Sequence, residues 1–485
     1  MKTITIKALP AILLLLVSLN GSGQMVSLED ATEIAKNWIE VVIDEKGSWG
    51  NYEDAEILSV QPILKQGQKL GFYCNVEPEG YIIVSLRKEL APVKAYSPRG
   101  YFDPDSDNIG TDIITTSMKL LIDTIQSVFG PVESVTAAEL EPMLEIDYSS
   151  AWEDIYNYVP GTWKKEPGDN NGETNYQEGD IILDGNNWHQ HPPFNAWCPY
   201  MGCTTTSNGR AFVGCVATAG AQIMYHWSWP PYGVNPYNDS YDWPNMQDVV
   251  TGSSPQAVID AVAELSYEVA VAVNMNFGCE GSGAYIYDME GVFENYFRYS
   301  SSCNVVWRQN YSATNWFESI KTQLNYNRPM EYGITGHAIV CDGWQETGTL
   351  KEYHMNWGWT GTGNDTWYTL DALPGGGYYI EHYVGNIRPA TSLGSWITGT
   401  YNTSSFPYRY FDQDAIGYDA VFSYGQFLQF LPGVQVCGMS PSQPIRFYGT
   451  DFLNLRMFSH GDLSHGIRLY DGEIELINFG SIKFH

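Results

Sequence analysis

Positive charge is scarce in this chain: 25 lysines and arginines stand against 56 aspartates and glutamates, a formal net charge of -31 over 485 residues. Nucleic acid and anionic membrane surfaces are bound through basic patches, so neither is an expected partner. Long apolar runs are missing too. The run Ala11 to Val17 is too short to span a bilayer, and nothing later is long enough. Lys2 and Lys7 precede that run and Gly21 and Gly23 follow it, the three parts of a secretory signal. Residues 1–23 are therefore expected to be a signal peptide cleaved before Gln24. The mature chain is expected to be secreted (extracellular, periplasmic or at the cell surface), with no transmembrane segment. The first cysteine is Cys74, so no lipid-modified cysteine follows the signal. Metal-ligand spacing is absent as well. His189 and His191 are two apart, and Cys198 with Cys203 has no second half at zinc spacing, so no metal and no cofactor is expected.

What is present is a large apolar and aromatic content, 44% hydrophobic and 14% aromatic, enough for several cores. The length suggests about three domains at roughly 150 residues each. Export permits disulfides among the eight cysteines. Cys198 with Cys203 would close a small loop, and Cys279 with Cys303 is a second candidate, although spacing does not fix connectivity.

The fold class read from the chain is α+β. From Val26 to about Val132 a helix, strands and a second helix alternate. Leu28, Ala31, Ile34, Ala35, Trp38, Ile39 and Val42 recur at helical spacing, and Met118, Leu121, Ile122, Ile125 and Phe129 do so again. Between them Gly71–Val76 and Gly80–Ser85 read as strands about a Pro-Glu-Gly turn. Residues 24–150 are thus expected to be one α+β unit. A polar, turn-rich stretch at about 162–185 reads as an exposed loop open to proteolysis. Residues 151–388 form the central domain, and 389–485 a small all-β, sandwich-like module in which Asp471-Gly472 marks a hairpin.

The central domain carries the chemistry. Gly214-Cys215-Val216-Ala217-Thr218-Ala219-Gly220 opens a helix of small residues, with Val216, Gly220, Ile223 and Trp227 as its apolar stripe. A thiol at a helix N-terminus meets unpaired N–H groups that favour thiolate. A cysteine nucleophile also needs a base, an orienter for that base and oxyanion donors. His337 stands at the mouth of an apolar strand after Gly336, and Tyr353–Gly358 reads as the returning strand. An antiparallel hairpin places Asn356 nearly opposite His337, where its carbonyl would orient the imidazole and Trp357 would shield that bond from water. Gln190, on an extended proline-rich segment, offers an amide that would join the Cys215 N–H in an oxyanion hole.

These residues resemble the streptopain family of secreted, papain-like cysteine peptidases. The match runs through Gln190 with Pro193-Phe194-Asn195 and Cys198-Pro199, Gly214–Ala219 with Gln222-Ile223-Met224, and Gly336-His337-Ala338 with Asp342-Gly343. It continues through Tyr353–Trp359 and Leu370-Asp371-Ala372-Leu373, in family order over about two hundred residues. The resemblance implies a papain-like domain with Cys215 as nucleophile, His337 as general base and acid, Asn356 as its orienter and Gln190 as oxyanion donor. It also implies that Ser282 and Gly336 line the substrate cleft and that Gly375-Gly376-Gly377 forms a loop beside it. The N-terminal unit is similar to the family's inhibitory propeptide, notably in Gly80–Ser85 and Ala95–Asp103. Peptide or protein substrates and the chain's own propeptide are then the expected partners. Two alternatives are an adhesion protein whose β module holds the ligand, and an amidase acting on cell-wall peptides with the same Cys–His pair.

Overall fold

The computed structural model describes residues 25–390 except 105–108, 162–175, 231, 335, 349, 360–365, 372 and 374–380, and the backbone of strands between 396 and 484. The signal peptide, most of the exposed loop, the triple-glycine loop and the Asp471-Gly472 turn lie outside the described residues.

Helix α1 (Leu28–Lys46) begins at Ser27, whose hydroxyl accepts from the Asp30 N–H while the Asp30 carboxylate accepts from the Ser27 N–H. That capping box satisfies donors the helix cannot pair itself, and Gly47 ends the helix in the left-handed conformation, φ 82°. Its buried face holds Ala31, Ile34, Ala35, Trp38, Ile39 and Val42 as read from the sequence, with Val41 added, whereas Leu28 in the first turn is exposed. Strands β1 (Glu56–Lys65), β2 (Gln68–Glu77), β3 (Tyr81–Ser85) and β4 (Val93–Ser97) form an antiparallel run. Helix α2 (Ile109–Phe129) follows and buries Ile113, Ile114, Met118, Ile122 and Ile125. Two short helices, α3 (Ala137–Leu140) and α4 (Ser149–Tyr156), complete this unit.

The second part is built on α5 (Cys215–Trp227), α6 (Gln256–Ala272) and α7 (Met289–Tyr296), then β5 (Asn304–Trp307), α8 (Ala313–Asn325) and strands β6 (Met330–Ile334), β7 (His337–Thr347), β8 (Leu350–Asn356), β9 (Thr366–Thr369) and β10 (His382–Gly385). Nearly all of α5 is buried, as its small residues require. A Cβ at Gly220 would stand 2.5 Å from Met289 Cε and 3.2 Å from Val269 Cγ1, so this glycine is what lets α6 and α7 approach.

The two parts share one sheet of ten strands, ordered β1-β2-β3-β4-β9-β8-β7-β6-β10-β5. The seam is β4 on β9, with Ala95 opposite Tyr368 and Tyr96 opposite Trp367. The N-terminal unit thereby covers a strand edge that the second part would otherwise expose. Side chains cross the seam as well: Tyr81 and Thr366 share a hydrogen bond of 2.8 Å, and Gln345 donates to Tyr96 at 2.9 Å.

The C-terminal segment contains strands β11 (Trp396–Tyr401), β12 (Tyr408–Phe411), β13 (Ala415–Ser423), β14 (Phe427–Phe430), β15 (Val436–Gly438), β16 (Ile445–Tyr448), β17 (Asn454–Met457), β18 (Ile474–Ile477) and β19 (Ser481–Phe484). Two sheets result, one following β11-β13-β16-β18 and the other β12-β14-β17-β19. All described pairs within them are parallel. The strands described in this segment are all β, in two separate sheets. Parallel neighbours need a crossover that a tight turn cannot supply, so the hairpin pairing expected from the sequence is not found among the described strands.

The disulfide expectation is corrected. Cys203 pairs with Cys279, whereas Cys198 and Cys303 are free and buried. Cys198 packs in the core near α5, and the Cys303 thiol points at the Asn386 carbonyl, so neither faces a partner thiol. The bond ties the stretch leading to Cys215 to the loop that carries Ser282.

Candidate active site

Gly214, with φ 94°, sets up the entry to α5. A Cβ there would stand 2.6 Å from the Met275 sulfur and 3.1 Å from the Ser282 carbonyl oxygen. Only glycine lets the 275–283 loop come this close to the first residue of the helix. Ser282 is buried, donates to the Phe212 carbonyl at 2.7 Å and accepts from the Gly278 N–H at 3.1 Å. Gln190 is buried too, and its carbonyl accepts from the Val213 N–H at 3.1 Å, tying the extended segment down two residues before the cysteine. Gly336 is exposed with open space about its Cα.

Cys215 is a free thiol at the first position of α5, facing the start of β7. Burial pushes its pKa up and is the largest effect. Backbone N–H groups of Ala338, Val216 and Cys215 itself act the other way, while the carboxyl of Glu331 adds to the rise. The helix terminus lowers the thiol pKa as expected from the sequence, but burial outweighs it in this state. The Ala338 contact places the sulfur one residue from His337.

His337 is turned elsewhere. Its Nε2 lies 3.6 Å from Asp112 Oδ2 on α2, an electrostatic contact rather than a closed hydrogen bond. Asp112 in turn accepts from Lys65 Nζ at 2.6 Å, and that ammonium also reaches the hydroxyls of Thr115 at 2.9 Å and Thr116 at 2.7 Å. Burial lowers the pKa of His337 more than Asp112 raises it, so the imidazole is neutral at pH 7. The Lys65–Asp112–His337 chain is invisible in the sequence, because its members come from β1, α2 and β7.

The β7–β8 hairpin forms as read, but its register sets Asn356 opposite Val340, three residues beyond His337. The Asn356 carboxamide is engaged elsewhere. Its oxygen accepts from Gln222 Nε2 at 3.1 Å and from the Gly358 N–H at 3.0 Å, and its amide donates to the Asn186 carbonyl at 3.2 Å. Gln222 lies seven residues after Cys215, two turns along α5, so this network fixes the end of β8 against the helix. Trp357 is buried in the apolar cluster that holds Ile113 of α2 and Ile339 of β7, with its ring 6.3 Å from that of Tyr368. The structure therefore brings Cys215, Gly214 and Ser282 together with the start of β7. His337 and Asn356 stand on adjoining strands with different partners.

Other titratable groups have local roles. The Nε2 atom of His226 meets the Asn327 carbonyl at 3.1 Å, in keeping with a structural histidine. His354 Nδ1 and Asp342 Oδ1 are 2.6 Å apart and buried, and Asp342 also accepts from the Leu183 N–H. Among the described residues, Asp239, Glu264 and Glu268 form an acidic trio with the geometry to surround a cation. Burial, then Glu268 and Asp239, pushes the Glu264 carboxyl up to about 7, while Glu268 accepts from the Tyr241 hydroxyl.

Comparison with known proteins agrees with this architecture. Residues 188–368 match the Peptidase C10 family, an interval that contains Gln190, Cys215, Ser282, Gly336, His337, Asn356 and Trp357. The chain is 28% identical over 349 residues to a thiol protease/hemagglutinin of Porphyromonas gingivalis, covering 65% of this chain and 36% of that protein. It is 26% identical over 355 residues to streptopain of Streptococcus pyogenes, covering 66% of this chain and 79% of that protein. The chain thus spans about a third of the first relative. A prointerpain A fragment of Prevotella intermedia shares the fold, with TM-score 0.51 and 24% identity over 68% of this chain and 98% of that one. Over residues 188–368 the chain thus resembles the Peptidase C10 family, more widely it is similar to streptopain, and its fold is α+β.

Proposed function

We propose that this chain is the exported zymogen of a cysteine endopeptidase. In this reading the N-terminal unit of about residues 24–150 is an inhibitory prosegment and the 151–388 region is the peptidase. The observation that carries the reading is the position of His337, beside Asp112 of α2 rather than on the nearby sulfur of Cys215. Loss of the prosegment removes Asp112 and Lys65 together and leaves a neutral imidazole one residue from the N–H that already meets the sulfur.

In the released enzyme His337 takes the Cys215 proton and the thiolate attacks a peptide carbonyl carbon. The Gln190 amide and the Cys215 N–H hold the oxyanion. His337 then protonates the leaving amine as the carbon–nitrogen bond breaks. Water, deprotonated by His337, attacks the thioester carbon; the carbon–sulfur bond breaks, the acyl half leaves as a carboxylic acid, and the proton on His337 returns to the sulfur. Asn356 orients the imidazole, Trp357 shields it, and Ser282 and Gly336 border the cleft. Cleavage within about 162–185 separates the prosegment from the site. Supporting this assignment are the complete residue set and its position inside the family match.

The test is casein hydrolysis by the processed chain. The parent digests casein and is inactivated by iodoacetamide, whereas Cys215→Ala does neither. A pure Cys215→Ala protein that digests casein like the parent would refute the proposal.

A further inference from the structure

Lys94 lies on β4 of the N-terminal unit, yet its ammonium is buried across the seam, 2.6 Å from Asp371 Oδ1. The side chain of Lys94 is 4% exposed and that of Asp371 12%. Burying an ammonium costs several kcal/mol, which only a well-formed counter-charge offsets. A second carboxyl of the peptidase side stands close by, because Glu381 is also buried and lies within electrostatic reach of both Lys94 and Asp371. The Tyr332 hydroxyl donates to Glu381. The rings of Tyr332 and Tyr353 lie 5.9 Å apart, and Tyr368 closes another wall. What remains beside Lys94 is a cavity of about 40 Å³, capped by Ile113, Thr116 and Ser117 of α2.

The lining reaches the catalytic strand. Ile334, part of the wall, is the ladder partner of His337, and Ile339, another part, is two residues along β7. At roughly 3.4 Å per residue the pocket starts within about 7 Å of the His337 backbone. Plug and cap both belong to the prosegment, whereas the carboxylates and tyrosines belong to the peptidase.

We infer that removal of the prosegment opens a subsite for a basic side chain, lysine or arginine, of the protein substrate, with Asp371 and Glu381 as its anionic floor and tyrosine rings as its walls. The inference rests on the zymogen reading and deepens it, with Lys94 occupying the place of the substrate cation. Carboxylates pair with such a cation, and tyrosine faces attract it through their quadrupoles. Burial holds the Glu381 carboxyl up at about 7 while the pocket is closed, with the Tyr332 hydrogen bond and the charges of Arg308 and Lys94 opposing the rise. Substrate cations and opening to water both favour its charged form.

The experiment uses the processed chain and peptides that differ at one position, scanned through the residues around the cleaved bond. At one position lysine or arginine is expected to exceed norleucine by at least 10-fold in kcat/KM, and Asp371→Asn is expected to shrink that ratio at least 10-fold. A preference that is absent, or that survives Asp371→Asn, overturns the inference while leaving peptidase activity in place. A second measurement needs no variant protein: calorimetric binding of the peptide Ala-Pro-Val-Lys-Ala-Tyr-Ser, residues 91–97, and of its Lys94→Met analogue. At least 10-fold tighter binding of the lysine peptide, weakened by salt, supports the subsite, and equal binding refutes it. This readout stands even if no peptide is hydrolysed, an outcome that would defeat the peptidase reading instead.

Discussion

Replacing Asp112 by alanine should speed maturation. The Coulomb energy of two full charges 3.6 Å apart would reach about 4–5 kcal/mol at an effective dielectric near 20. That figure does not apply, because burial keeps His337 neutral at pH 7 and the contact is then one of charge with dipole. The Lys65–Asp112 pair is shorter, at 2.6 Å, but the Asp112 side chain is 48% exposed, so solvent screening leaves about 0.5–1 kcal/mol. Both members of that pair belong to the prosegment, so it only holds the carboxylate in place; the contact across the seam is Asp112–His337 alone, worth about 1 kcal/mol for a half-exposed charged group, or roughly a fivefold change in the open population. The assay follows conversion of the full chain to the processed form over time, with Cys215→Ala/Asp112→Ala as the blank. About fivefold faster conversion is expected, and a rate within twofold of the parent would refute the latch. Acid should act in the same direction. The pKa of His337 lies below its ordinary value, so the unfolded chain holds a proton that the folded one does not, and stability falls as pH drops through about 6.5. Burial tends to raise the Asp112 carboxyl but is outweighed by Lys65 and His337, so the stability it contributes is lost only as pH falls through its lowered pKa. Conversion should therefore quicken between pH 7 and pH 5.

Breaking the Cys203–Cys279 bond frees a loop with a sequence separation of 76, for which the chain-entropy relation gives about 4.5 kcal/mol. The double serine variant should melt several degrees lower in calorimetry and lose its sensitivity to reductant, while an unchanged Tm contradicts a structural role. Glu331 is fully buried on β6 with neither carboxyl oxygen hydrogen-bonded, and burial raises its pKa well above the usual range. Glu331→Met should stabilise the fold by about 1–3 kcal/mol at neutral pH. Because the folded pKa is raised, the cost of the native glutamate is absent below about pH 4 and grows as pH rises through the unfolded value, so the gain in urea midpoint should shrink on acidification.

Much of the fold is legible in the sequence where a single element carries its own signal. The stripe of α1, the small residues of α5 and the β7–β8 hairpin are local patterns, and the structure contains all three. Spacing misleads on the disulfide because proximity along the chain says little about proximity in space: Cys203 meets Cys279 across a stretch of chain that contains α5 and α6. The position of Asn356 depends on a register shift between Cys341 and Gly343, which no alternation pattern announces. Asp112 and Lys65 look like ordinary solvated charges on a helix and a strand, and only the meeting of β1, α2 and β7 joins them to His337. Nothing local marks Lys94 either, because its burial comes from the β4–β9 seam between distant parts of the chain.

The central claim is that the imidazole of His337 leaves Asp112 for the sulfur of Cys215 when the prosegment departs. The most direct measurement is the rate at which iodoacetamide alkylates Cys215 as a function of pH, read by mass spectrometry in the unprocessed and processed chains. The processed chain should react rapidly down to about pH 5, as an imidazolium-paired thiolate does, whereas the unprocessed chain should react only in alkali because its thiol pKa is raised. The same pH profile in both forms would contradict the account.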